Sequence, residues 1–247
     1  SMIHSALAPT LRNEQLSSVL RDAEARYVAA NPRSAKLSGE AQGHLPGGNT
    51  RTTVHFSPFP LYIAKGEGSR LTDVDGHSYI DFINEYTAGV FGHSNALIAE
   101  TISRTIAQGL NFGAPTEHEV KLSAELRKRF PAMELLRFCN SGTEANLLAM
   151  ATARAVSRKD TIMIFNGAYH GSVFYFSHGP SPLNMPFPVI TSTFNDPEKA
   201  ASDIAKHGGK LAAVIVEPMQ GGAGALPAIP AFIAALRDAT ERHGVLL

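Results

Sequence analysis

LLRFCNSGTEANLLAMATARAV, residues 135–156, carries the pattern that decides the fold. Residues 135–139 form a short apolar run suited to a strand. Asn140, Ser141 and Gly142 break that run. From about Gly142 to Val156 apolar residues return at helical spacing. A strand that turns directly into a helix aims free backbone N–H groups, and the positive end of the helix dipole, beyond the strand's carboxyl end. Such a turn suits a phosphate. Gly142 lets a ligand approach the main chain, and Ser141 and Thr143 add hydroxyls. The same residues also spell an ordinary capping box, with Ser141 as N-cap and Glu144 three positions on. The local pattern leaves both readings open.

Downstream, the alternation repeats. Strand-like runs at 161–165, 189–191 and 211–216 are separated by helical patterns at 197–207 and 229–241, and Val245 begins another run. The segment LAAVIV (211–216) is apolar without interruption, as in a strand buried on both faces. The predicted class is therefore α/β, with a mainly parallel sheet between helices. Upstream, residues 97–108 and 117–130 read as helices. Residues 61–83 read as a β-meander with tight turns at Gly66-Glu67-Gly68 and Asp73–Gly76, and 43–50 is a glycine-rich loop. Residues 11–30 read as an amphipathic helix carrying Leu16, Val19, Leu20, Ala23 and Tyr27, stopped before Pro32. This divides the chain into an N-terminal helix and meander (1–90) and a large α/β domain (91–247).

Two more strand-end loops draw attention. Tyr169-His170-Gly171 follows the strand at 161–165, and Glu217-Pro218-Met219-Gln220-Gly221-Gly222 follows LAAVIV. In an open α/β sheet both fall on the same edge as the Ser141 turn. Tyr169 can stack on a planar ligand and His170 can hydrogen-bond to it; equally, the pair is an ordinary half-buried aromatic and its neighbour. A carboxylate such as Glu217 at the end of a central strand is costly to bury unless paired, so it needs a cation, donors or a ligand group. A structural ion pair meets that need as well.

Composition excludes several functions. Among 247 residues, Lys+Arg and Asp+Glu are both 22, which gives no basic footprint for nucleic acid or a membrane surface. Cys139 stands alone, so neither a disulfide framework nor a cysteine-based zinc site is available. There is no apolar run of membrane-spanning length and no signal-peptide pattern at residues 1–10. Ser1-Met2 reads as a scar of tag cleavage. Asp73-x-Asp75-Gly76 starts like a calcium loop but lacks the later ligands. Phosphate-loop, dinucleotide and H-E-x-x-H patterns are absent.

SGTEA (141–145), YHG (169–171) and VEPMQG (216–221) occur in the order and spacing of one family. DVDGHSYIDF (73–82), Gly92-His93, LPGGNTR (45–51) and INEYTAGVFGHS (83–94) match its N-terminal region. The chain resembles the class III aminotransferases, and within them the branch of β-phenylalanine-type aminotransferases and glutamate-1-semialdehyde aminomutases. The resemblance implies the fold type I architecture of pyridoxal-phosphate (PLP) transferases, with a mainly parallel, seven-stranded type of sheet that is incomplete in this chain. It implies PLP as cofactor, with Ser141, Gly142 and Thr143 at the phosphate. Tyr169 would stack on the ring, with His170 beside it and Glu217 in the pocket. Arg51 would salt-bridge the substrate carboxylate, where a bidentate guanidinium is well suited. Tyr86 would line the substrate pocket.

The implied reaction moves an amino group from an aromatic β-amino acid to a 2-oxo acid, in a cytoplasmic homodimer. The alternatives are a glutamate-1-semialdehyde aminomutase and a non-catalytic partner. By the same resemblance, the lysine that carries PLP and the aspartate beneath its ring nitrogen would follow Leu247. No lysine present stands in a matching motif. The expectation is thus of an incomplete chain, ending inside a strand, with no catalytic residue of its own and no activity alone.

Overall fold

A computed structural model describes residues 4–176 and 179–247, with side chains from residue 15 onward. The chain forms two compact units, Ser1–Thr116 and Glu117–Leu247. The division made from the sequence, at 90–91, falls within the first of these units. Among the described residues no helix is long and apolar enough to cross a membrane.

In the first unit, helix α1 (His4–Ala30) leads into α2 (Pro32–Gln42), and an antiparallel meander follows from β1 (Ile63–Glu67), β2 (Arg70–Asp73) and β3 (Ser78–Ile80). Helix α3 (Ala96–Ile106) follows. The meander lies where residues 61–83 predicted it. Helix α1 is longer than its apolar pattern, and Leu16, Val19 and Leu20 remain exposed. Tyr27 does dock: its hydroxyl donates to the Phe59 carbonyl at 2.7 Å, and its ring lies 5.1 Å from that of Phe59.

The meander turns on Asp73. Its carboxylate accepts the Asp75 and His77 amides at 2.9 and 2.8 Å, the Tyr79 hydroxyl at 2.8 Å, and faces His77 Nδ1 at 3.0 Å. Burial alone would raise this carboxyl; the Tyr79 hydroxyl and the His77 amide and ring outweigh it and bring it to about 2. The neighbouring Asp75 reaches 42 residues back, accepting the Arg33 and Ser34 amides at the start of α2. It thereby serves as a remote cap for a helix whose own Asn31 makes no side-chain cap bond.

The second unit contains α4 (Glu117–Arg129), α5 (Gly142–Ser157), β4 (Thr161–Phe165), β5 (Val189–Ser192), α6 (Pro197–His207) and β6 (Leu211–Val214). The short hairpin β7 (Met219–Gln220) and β8 (Leu226–Pro227) and helix α7 (Pro230–Arg242) complete it. Strands β5, β4 and β6 form a parallel sheet in that order. A parallel bridge between Ala213 and Leu246 starts a further strand beside β6. Every residue of β4 is buried, as a strand covered on both faces requires. Met163 and Phe165 pack with Ala200 and Ile204 of α6 and with Phe232 and Leu236 of α7. Ile162 and Ile164 pack on the other face with Met150 and Ala153 of α5 and with Phe174 and Phe176. Full burial of each large apolar side chain contributes about 2–3 kcal/mol, so the sheet is anchored from both sides.

The expected strand at 135–139 is not one: this segment makes no ladder among the described residues. A groove of about 580 Å³ runs between Arg137 and Cys139 on one side and Ala213, Val214 and Leu246 on the other. Residues of extended propensity form a strand only where a neighbour supplies hydrogen bonds, and across this groove none is in reach.

Candidate functional site

Helix α5 begins at the turn singled out above. Ser141 Oγ accepts the Glu144 amide at 3.1 Å, and Glu144 Oε2 accepts the Asn140 amide at 3.0 Å. The capping reading is therefore realised in full. It does not exhaust the turn, because the Gly142 and Thr143 amides come too early in the helix to have helical acceptors. Apart from its chain neighbours and its own helix backbone, no atom of the described residues stands within 4 Å of the place where a Gly142 side chain would project. A capped helix with two early amides that have no acceptor among the described residues, and an open side, leaves room for an anion.

Four side chains from elsewhere end on the loop that carries Tyr169. Glu217 Oε1 accepts the Tyr169 amide at 2.8 Å, and its Oε2 accepts the Gly221 amide at 3.2 Å. The donors that the sequence demanded for Glu217 are thus two backbone amides. Thr143 Oγ1 accepts the Ser172 amide at 3.1 Å. Asn146 Nδ2 donates to the His170 carbonyl at 3.1 Å, and the buried Gln220 donates to the Asn166 carbonyl at 3.0 Å. Gly171 has φ 116°, and a side chain there would stand 2.5 Å from Thr143 Oγ1. Only glycine permits that approach. The Ser141 turn and the loops that follow β4 and β6 are therefore bonded into one cluster.

Within the cluster, Tyr169 is 43% exposed, and the Tyr175 ring braces it edge-on at 5.2 Å. His170 is different, being 3% exposed, and its Nε2 has no partner among the described residues. Burial pushes its pKa down to about 4. It is neutral near pH 7 and brings no positive charge to a phosphate.

Arg51 and Tyr86 lie in the first unit and lie together. The Arg51 guanidinium is 5.6 Å from the Tyr86 ring centre, a cation–π distance, and the Tyr86 hydroxyl donates to the Thr53 carbonyl at 3.3 Å. Tyr86 belongs to a run of left-handed residues, Asn84, Glu85, Tyr86 and Thr87, with φ of 50°, 50°, 55° and 76°. Each costs about 1 kcal/mol or more for a non-glycine residue. The entrance to the run is fixed by Asp81, which accepts the Ile83 and Asn84 amides at 2.9 and 3.0 Å and holds His93 Nε2 at 2.8 Å.

The sequence profile described as Aminotransferase class-III matches residues 52–247. The chain belongs to the class III aminotransferase family. Among class III relatives, a β-phenylalanine transaminase of Variovorax paradoxus is 42% identical over 232 residues, covering 94% of this chain and 54% of that protein. The solved structure of a β-phenylalanine aminotransferase from Variovorax paradoxus superposes with a TM-score of 0.89 over 93% of this chain and 54% of its own. A glutamate-1-semialdehyde 2,1-aminomutase of Brevibacillus brevis is 38% identical, covering 87% of this chain and 54% of its own length. A solved transaminase with PLP bound is 34% identical with a TM-score of 0.81, covering 87% of this chain and 54% of that one. The chain spans about half the length of the curated relatives it matches. These likenesses bear out the fold type I class III architecture that the motifs implied.

Sequence reasoning missed Asn146 and Gln220 as members of the cluster. Asparagine is a poor residue for a helix interior, and that was the one available signal at Asn146. Gln220 stood inside a quoted motif but gave no sign that it would be buried.

Proposed function

We propose that this chain holds PLP on the clustered edge of its sheet. We further propose that the protein transfers the amino group of an aromatic β-amino acid, such as β-phenylalanine, to a 2-oxo acid. The observation that carries the first part is the bonding of the Tyr169 loop to the Ser141 turn through Thr143 and to the β6 end through Glu217. An anion site and a half-exposed aromatic ring thereby stand on one rigid frame. The second part is supported by the likeness to the Variovorax paradoxus transaminase.

When bound, PLP supplies an electron sink for a carbon that loses its proton. The chain's own residues bind and orient it. The Gly142 and Thr143 amides, with the α5 dipole, bind the phosphate. The Ser141 and Thr143 hydroxyls stand at the same turn, each already accepting one amide. Tyr169 covers the ring. Glu217 keeps the Tyr169 backbone in place, and neutral His170 fills the space behind the loop. Arg51 takes the substrate carboxylate, with its guanidinium kept in orientation by Tyr86.

Titrating the 247-residue chain with pyridoxamine 5'-phosphate, followed by fluorescence, tests the cofactor reading. The expected result is saturable binding that inorganic phosphate competes away and that Tyr169→Ala weakens about tenfold, in keeping with stacking worth about 1 kcal/mol or more. Absence of saturable binding would overturn it. The substrate reading is tested by comparing the turnover of two substrates. Faster turnover of 3-amino-3-phenylpropanoate than of glutamate-1-semialdehyde is expected, and the reverse order would make it an aminomutase.

A further inference from the structure

We infer that Asn146 is a positioning residue that sets the Tyr169 ring against the phosphate-binding turn; the inference rests on the cofactor reading above. Asn146 lies on α5, five residues beyond the Ser141 cap, and its amide donates to the carbonyl of His170, the residue next to Tyr169. The loop backbone is thus held at the Tyr169 amide by Glu217 and, one residue on, at the His170 carbonyl by Asn146. The His170 amide is occupied as well, donating to the Phe174 carbonyl at 2.9 Å.

Two side chains tie this loop directly to α5. Thr143 belongs to the phosphate turn itself, so its loss disturbs both ends of a bound ligand. Asn146 is a turn further along the helix and holds only the loop. In a helix interior asparagine is less favourable than alanine by roughly 0.6 kcal/mol, so its bond to His170 offsets a local cost. The expected consequence is selective. Removing the Asn146 donor frees the ring and leaves the anion site intact.

The test compares two probes on the 247-residue chain. Pyridoxamine 5'-phosphate reports ring and phosphate together. Inorganic phosphate, followed by the amide resonances of Gly142 and Thr143, reports the turn alone. Asn146→Leu, which keeps the bulk and loses the donor, should weaken pyridoxamine 5'-phosphate about tenfold and change phosphate affinity less than twofold. Combined with Tyr169→Ala it should add nothing to the loss from Tyr169→Ala alone, because both act through one ring. Equal weakening of both probes, multiplying losses in the double variant, or unchanged pyridoxamine 5'-phosphate binding would each overturn the assignment. Should the parent chain bind no pyridoxamine 5'-phosphate, the cofactor reading itself has failed. Amide exchange then decides on Asn146: acceleration confined to residues 169–174 in Asn146→Leu supports it, and no change, or acceleration spread across 117–247, overturns it.

Discussion

The side chains that shape the turns of the meander and those that brace the edge cluster do similar work over very different distances. In the meander, Asp73 binds groups two, four and six residues ahead of it, and Asp81 binds amides two and three residues ahead. In the α/β unit, Asn146, Thr143, Glu217 and Gln220 bind backbone 24, 29, 48 and 54 residues away. Local bonds form as the chain turns and fix a turn's shape. Distant bonds form only after the sheet has assembled, and they fix where one loop stands against another. A turn needs the first kind, and a site built from several strand ends needs the second.

The largest effect is expected at the local hub. Asp73→Ala leaves two amides and a tyrosine hydroxyl, all part-buried, without their acceptor, and unsatisfied buried donors cost about 1–3 kcal/mol each. With some of that relieved by water, the variant should lose roughly 3–4 kcal/mol. The loss is read from the denaturant midpoint and from faster amide exchange over residues 70–80. Because the folded carboxyl titrates at about 2, below its ordinary 3.8, its contribution is fully present above about pH 4 and disappears as pH falls toward 2. An Asp73→Ala variant whose deficit stays constant from pH 5 to pH 2 would show that the hub is not electrostatic.

His170 gives the next effect and inverts the logic of Asp73. Asp73 is buried with its carboxylate fully bonded, whereas His170 is buried with Nε2 unpartnered among the described residues and a pKa of about 4. Between pH 6.5 and 4 the unfolded chain takes up a proton that the folded chain refuses, so stability falls with pH across that window, by up to roughly 3 kcal/mol. His170→Phe should flatten this slope relative to the parent while leaving the other histidines in place. Parallel slopes for the two proteins, measured as denaturant midpoints from pH 7 to 4, would mean that the imidazole has a partner or reaches water.

The same contrast explains what was legible in advance. Asp73, Gly76 and the alternation around them sit within ten residues, so the meander could be read directly. Strand β4 and the LAAVIV segment declared themselves by unbroken apolar runs. The Ser141 turn was legible in both its readings; the capping bonds are formed, and they leave the early amides of the helix free for the proposed phosphate. The 135–139 segment failed because apolar residues record a tendency to extend and carry no information on whether a neighbouring strand is in reach. The partners of Glu217 were foreseen as a need but not as particular groups, since two amides 48 and four residues away leave no mark in the sequence. Asp75 and the start of α2 were missed for the same reason.

Glu217→Gln provides the smallest and most selective test of long-range bonding. The substitution keeps shape and one carbonyl oxygen, so either the Tyr169 or the Gly221 amide can still be accepted. The other amide then faces an NH₂ group, donor against donor. The lost charge-assisted bond and the mismatch together should cost about 1–2 kcal/mol of stability. Since Glu217 meets only the edge cluster, its effect on amide exchange should concentrate at residues 168–174 and 219–222, with β4 itself protected as before. Its effect on pyridoxamine 5'-phosphate should resemble that of Asn146→Leu, because each removes one side-chain bond to the backbone at or next to Tyr169. If Glu217→Gln instead destabilised the whole of 117–247 evenly, Glu217 would be a member of the core, and the contrast between locally built turns and a remotely braced site would lose its clearest case.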